Sequence, residues 1–177
     1  MKGEFFKMEF LELAKKRYSC RKFSDKPVEP EKLEKILQAA ISAPTAKNVQ
    51  PFKIWVIQSK DALEKARSAT ACHFGAPVIL VIGGISENAF VRPFDGRNYQ
   101  DVDSSIVATH IMLEVEDLGL GTTWVGFFDA PKFQELFPEM KDYDLIALFP
   151  IGYPADDAKP SDRHFIRKDK NELVNYL

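Results

Sequence analysis

Two arginines, Arg17 and Arg21, stand four residues apart with Tyr18, Ser19 and Cys20 between them. Guanidinium groups at that spacing, with a hydroxyl in reach, can surround a phosphate with charge-assisted hydrogen bonds. Taken alone, the cluster reads first as a solvated basic helix end. A second segment, Ala43 to Phe52 (APTAKNVQPF), stops a helix between two prolines and leaves amide and hydroxyl side chains in a loop. As a bare pattern it is equally a polar turn. A third, Trp124-Val125-Gly126-Phe127-Phe128, puts a glycine in a strand-like run, where a ligand can approach the backbone closely or a core strand bulges.

Other chemistries lack their residues. Gly83-Gly84 has no further glycine at dinucleotide-fold spacing, and Gly119-Leu120-Gly121 follows a helical pattern, whereas that fingerprint lies between strand and helix. His73, His110 and His164 are scattered without carboxylates at metal-ligand spacing, and His110 reads as a hydrogen-bonded core residue. No serine sits in a nucleophile elbow, and Cys20 and Cys72 are too far apart for a CxxC motif.

These segments must be held by regular elements. Phe5, Phe6, Met8, Phe10, Leu11, Leu13 and Ala14 recur at helical spacing, and Lys15, Lys16 and Arg17 supply the cations of a last turn, so a first helix is expected to end near Arg17. Pro30 starts a second helix with one apolar stripe, Leu33, Ile36, Leu37, Ala40 and Ile41, stopped by Pro44. Phe52 to Gln58 reads as a strand, Lys60 to Thr70 as a short helix, and Ala76 to Gly83 as a buried strand. Asp101 to Leu118 is helical and apolar on almost every face, with small residues suited to packing on several sides, and Gly119 is its C-cap. Thr122 to Phe128 reads as a strand, Pro131 to Phe137 as a short helix, and Leu145 to Ile151 as another strand. Between them, Ser86 to Gln100 is an irregular aromatic stretch that reads as a lid or as an ordinary packed loop. The alternation of strands and helices, by itself, favours a parallel sheet.

The chain of 177 residues is 45% hydrophobic and has no repeat or linker, which predicts a single domain spanning 1–177. Twenty-four Lys and Arg against 26 Asp and Glu leave a formal charge of −2, too balanced for nucleic-acid binding to be the main activity. The first residues alternate charge with apolar groups and offer no signal-peptide pattern, and the longest apolar run, Ala76 to Ile82, is too short to span a bilayer. A soluble, cytoplasmic protein without a membrane partner is expected.

Four pieces together, RYSCRKF at Arg17 to Phe23, APTAKNVQPF at Ala43 to Phe52, DVDSSIVATHIMLEVEDLGLGTTWVG at Asp101 to Gly126 and PIGYP at Pro150 to Pro154, resemble the nitroreductase family of FMN-dependent oxidoreductases. The resemblance covers nearly the whole chain in order. It implies an α+β fold, a mainly antiparallel central sheet flanked by helices, in an intertwined homodimer with FMN at the interface, and it outranks the parallel sheet. By the motif match, Arg17 and Ser19, with Tyr18 between them, would hold the FMN phosphate, and Arg163 would add a late basic contact. Arg21 would reach the N1/O2 edge of the flavin, where hydride arrival leaves negative charge. Pro44, Thr45, Ala46 and Asn48, with Gln50 close behind, match the loop that packs on the flavin from the other subunit. Trp124, Val125, Gly126 and Phe127 match the segment lining the buried flavin face.

The family resemblance further implies NADH or NADPH as a transient donor and a nitroaromatic, quinone or similar electron-poor acceptor, in ping-pong turnover, with no protein acid or base strictly required. Phe90, Phe94, Tyr99, Trp124, Phe127 and Phe128 could stack such rings. A narrower reductase such as a dehalogenase, or an FMN-storage module without turnover, are the alternatives. The sequence departs from the family pattern in two places. The stretch before the Ala76 strand offers only Thr70 and His73 to a flavin, and Ser161 stands where a second late basic residue is common.

Overall fold

The computed structural model describes residues 9–177. Its helices are α1 (Phe10–Lys16), α2 (Pro30–Ile41), α3 (Lys60–Ala69), α4 (Gln100–Asp117), α5 (Ala130–Leu136) and α6 (Lys170–Leu173). Its strands are β1 (Phe52–Ile57), β2 (Val78–Gly84), β3 (Gly121–Thr122) and β4 (Asp144–Gly152), in the order β1-β2-β4-β3, every pair antiparallel. This is an α+β architecture. Of the residues expected in the first helix, Phe5, Phe6 and Met8 lie outside the described residues.

The apolar run of β2 is buried on both faces because helices cover both. Val78, Leu80 and Ile82, with Ala147, Phe149 and Ile151 of β4, pack against Ile36 and Ala40 of α2 and Val107, Ala108 and Ile111 of α4. The alternate residues Ile79 and Val81, with Leu148, pack on the other side against Leu63 and Ala66 of α3 and Phe133 of α5. Each such Val, Leu, Ile or Phe side chain contributes about 1.5–3 kcal/mol on burial. Two-sided burial of this kind is usual in parallel sheets, which is why alternation alone misleads. Here α3 and the segment 70–77 carry the chain out and back, so β2 starts beside the end of β1, with Ile57 opposite Ile79.

Local chemistry sets the boundaries. Ser59 Oγ accepts from Ala62 N–H to cap α3, and Asp129 accepts from Lys132 N–H to cap α5. Gly119 takes φ +70° after α4; its N–H donates to Glu116 and that of Leu120 to Val115, a Schellman stop. The third strand-like run is shorter than its sequence suggests. The expected strand over Thr122 to Phe128 is only β3 plus one bridge, where Val125 and Leu148 exchange both backbone bonds at 3.0 Å. In that register the next hydrogen-bonded pair is Thr123 with Pro150, and proline has no N–H to give. The ladder has a gap there, and the chain beyond Val125 leaves the sheet.

Candidate functional site

α1 ends at Lys16, and the following residues run beside the start of the 121–128 segment. Ser19 forms a parallel bridge with Thr122, and Cys20 N–H donates to the Thr122 carbonyl at 2.9 Å. Lys16 pairs at 3.4 Å with the mostly buried Glu116 in the last turn of α4, which holds α1 to that end of the long helix. The Arg17 and Ser19 residues are half-buried and Arg21 is exposed, its Nη1 donating to the Ser19 carbonyl at 3.2 Å. Burial, with Cys20 and Glu116 nearby, pushes the Tyr18 phenol to about 12, so its hydroxyl stays protonated at neutral pH.

Ser19 and Arg21 open onto a cavity of about 270 Å³ whose far wall is Lys159, Pro160 and Ser161. Lys22 and Asp157 form an ion pair at its rim. Arg163 is exposed on the 3-10 turn Asp162–Phe165; its neighbour His164 stands edge-on to Tyr18, with ring centroids 6.5 Å apart. The late basic segment and the Arg17 cluster therefore meet on one side of the molecule.

The 124–127 residues follow in the chain from Thr122. Trp124 packs edge-on against Phe149, and Val125 is fixed by Leu148. Gly126 and Phe127 are exposed, Phe127 at 84%. A Cβ added to Gly126 would meet nothing nearer than Trp124 Nε1 at 4.0 Å, so its backbone is open to close approach. Beside it lies a second cavity of about 560 Å³, lined by Arg67, Ser68, Thr70, Gly126, Phe127 and Asp129. Thr70, one of the two side chains the sequence offers a flavin there, is already engaged. Its hydroxyl donates to the Phe127 carbonyl at 3.2 Å and accepts from Cys72 N–H at 3.0 Å. The cation in this cavity is Arg67, from the last turn of α3. Sequence reading passed over it because a basic residue at a helix C-terminus is ordinary.

The loop 44–50 stands elsewhere. Thr45 Oγ1 accepts from Gln50 N–H at 3.0 Å and the Thr45 carbonyl from Asn48 N–H at 2.9 Å, while Lys47, Asn48 and Gln50 all hold positive φ of 52° to 55°. Ala46 N–H donates to Asp103 in the first turn of α4, and Lys47 Nζ lies 4.8 Å from the Phe90 ring. The aromatic stretch beyond is folded on itself. Val91 bridges Asn98, Arg92 pairs with Asp95, Phe90 tilts against Tyr99, and Phe94 projects at the tip, 93% exposed.

The expected site is thus brought together only in halves. Asp103, beside the loop, and Glu116, beside the Arg17 cluster, lie at opposite ends of α4, about 20 Å apart at 1.5 Å per residue. In the sheet the loop enters at β1, where Phe52 opposes Gly84 and Gly84 opposes Asp144, whereas Thr122 opposes Ile151 at the far edge and far end. Between the halves, α1, α2 and α4 leave a mainly apolar groove of about 800 Å³, lined by Phe10, Leu13, Ala39, Ile106 and Leu113 and bordered by His110, Glu9, Glu114 and Asp117.

Among the described residues, no helix is long and apolar enough to cross a membrane. No group of three or more His, Cys, Asp or Glu among them is placed to hold a metal ion.

Comparison with known proteins adds the following. A sequence model of the Nitroreductase family matches residues 14–74 and 71–153. A crystal structure of a nitroreductase family protein from Clostridium difficile 630 is 40% identical, covers 96% of this chain and 98% of its own, and superposes with a TM-score of 0.88. A structure described as an FMN-dependent nitroreductase from Clostridium difficile R20291 is 27% identical, with a TM-score of 0.74 over 94% of this chain and 98% of its own. A relative from Methanothermobacter thermautotrophicus, provisionally named NADH dehydrogenase/NAD(P)H nitroreductase, is 30% identical over 98% of this chain and 91% of its own length.

Proposed function

Because this chain belongs to the nitroreductase family, we propose that it is an FMN-dependent oxidoreductase. It takes reducing equivalents from NADH or NADPH and passes them to a nitroaromatic, quinone or similar electron-poor acceptor, the two substrates using the site in turn. The observation that carries this reading is the hydrogen bond from Cys20 N–H to the Thr122 carbonyl, which ties the Arg17–Arg21 donors to the start of the segment that carries the open backbone of Gly126.

The residues present suit FMN. Arg17, Ser19 and Arg163, with Lys159 at the cavity wall, are the charge-assisted donors a phosphate requires. Gly126 offers unshielded backbone to a ring edge, and the exposed Phe127 offers an apolar face. FMN, when bound, supplies the hydride and electron transfer itself. Arg21 would offer the flavin fixed positive charge against the electron density it gains on reduction, and Arg67 would add a cation in the cavity beside Gly126.

The working form is a homodimer in which loop 44–50 of one subunit completes the cluster of the other. Support comes from the separation of the halves within one chain and from the apolar groove between them, with Phe10 67% and Leu11 63% exposed beside it. A cytoplasmic setting accords with this chemistry. The activity is tested on FMN-loaded, desalted protein under anaerobic conditions: a retained flavin absorption band that bleaches on adding NADH or NADPH is expected. Loss of the band on desalting, or a band that neither nucleotide bleaches, would overturn the reading.

A further inference from the structure

The carboxylate of Asp103 is 1% exposed, in the first turn of a helix whose neighbouring residues Ser104, Val107 and Ala108 are core. A buried carboxylate is costly unless hydrogen bonds hold it. Oδ1 accepts from Ala46 N–H at 2.9 Å, and Oδ2 has no partner among the described residues. Helix-end electrostatics would favour an acidic residue here equally well in solvent, so burial must serve the contact to Ala46.

That contact reaches an unusual loop. Lys47, Asn48 and Gln50 hold φ of 52°, 55° and 55°, a conformation that L residues other than glycine adopt reluctantly and retain only when their surroundings impose it. The bonds from Gln50 N–H to Thr45 Oγ1 and from Asn48 N–H to the Thr45 carbonyl close the loop on itself. They fix its shape but not its place. Among the described residues, the bond to Asp103 is the one hydrogen bond tying residues 44–50 to a distant part of the chain.

We propose that Asp103 is a positioning residue for the flavin site. By anchoring Ala46 N–H to the start of α4, it holds loop 44–50, and Asn48 with it, rigidly at the face presented to the partner subunit's FMN. The inference rests on the proposed FMN function. It assigns no contact between Asp103 and the cofactor, since the residue acts through Ala46.

Two substitutions remove the bond from opposite sides. Ala46→Pro removes the donor and sets its Cδ against Asp103 Oδ1, so it both breaks the bond and pushes the loop off the carboxylate, while Thr45, at φ −129° and ψ 157°, already has the extended backbone that precedes proline without strain. Asp103→Leu deletes the acceptor, while Asp103→Asn keeps an oxygen in place. The readouts are FMN dissociation constants by fluorescence titration and hydrogen exchange of peptide 44–51 in the flavin-free protein.

Ala46→Pro and Asp103→Leu should each weaken FMN binding by about tenfold or more and speed exchange in that peptide. Their double variant should be little worse than either single one, and Asp103→Asn should restore most of both signals. If Asp103→Leu does not fold, Ala46→Pro against Asp103→Asn carries the comparison. Unchanged affinity and exchange in Ala46→Pro, or effects of the two changes that simply add, would overturn the proposal while wild-type protein still binds FMN. Wild-type protein that binds no FMN would instead overturn the flavin reading on which it rests.

Discussion

Cys20 and Thr122 are joined by a backbone hydrogen bond of 2.9 Å, and their neighbours are packed too closely to allow slack. A Cβ on Gly121 would lie 2.8 Å from both Cβ and Sγ of Cys20. The end of the basic cluster is therefore tightly packed on the start of the 121–128 segment, at Gly121 and Thr122.

Gly121→Ala should push Cys20 away and displace Ser19 and Arg21 with it. Overpacking of this kind costs about 1–3 kcal/mol. The expected result is a lower melting temperature together with weaker FMN binding. A lower melting temperature with unchanged FMN affinity would separate the packing from the site.

Arg21→Ala should weaken FMN binding and slow flavin reduction by NADH or NADPH. One charge-assisted hydrogen bond is worth about 1.5–3 kcal/mol, so a loss of roughly ten- to a hundredfold in affinity is expected. Arg21→Lys keeps the charge without the planar fork and should fall between the two. Stopped-flow reduction and flavin titration check both parts; wild-type values in Arg21→Ala would remove its assigned role.

Asn48 sits at φ 55°, where asparagine is better tolerated than alanine. Asn48→Ala should lower FMN affinity through both backbone strain and lost side-chain contact, while Asn48→Gly removes only the contact. Sizing chromatography of both variants should still give a dimer. If Asn48→Gly binds FMN as wild type does, the side chain makes no contact with the cofactor.

The Tyr153 hydroxyl donates to both oxygens of Glu29, at 2.9 and 2.8 Å, tying the end of β4 to the start of α2. That bond, chiefly, holds the Glu29 carboxyl below its ordinary value, with Lys26 adding to the effect. A depressed folded pKa means stability that is present above the ordinary carboxylate pKa and lost as pH falls through the folded one. Tyr153→Phe should thus lower the melting temperature at pH 7, and the difference from wild type should shrink in acid. A pH-independent difference would place the effect in packing instead.

How much the sequence discloses depends on whether the cause is local. Helix starts at Pro30 and Ser59 and the stop at Gly119 rest on neighbouring residues and are legible, as are the apolar strands Phe52–Ile57 and Val78–Gly84. The gap after Thr122 is not, because it comes from Pro150 across the sheet. Antiparallel order is hidden for the same reason: helices on both faces give β2 the apolar run of a parallel strand. The family resemblance supplied that order where periodicity did not. The Arg17–Arg21 and Trp124–Phe127 segments are recognisable by motif, but Arg67 and Asp103 are not. Arg67 enters its cavity only through the fold, and in sequence Asp103 looks no different from Asp101, Glu114, Glu116 and Asp117 of the same helix.

The central claim, an FMN site shared between two subunits, is tested most directly by mixing. Arg21→Ala and Asn48→Ala subunits are co-expressed with different tags, and flavin retention is measured at an FMN concentration where neither variant alone holds it. In a two-fold dimer one site of each mixed pair carries both changes and the other carries neither, so random pairing restores about a quarter of the wild-type sites. Recovery of retained, NAD(P)H-bleachable flavin in the doubly tagged dimers is the predicted result. No recovery, with mixed dimers present, would mean that each site is built within a single chain and would contradict the account.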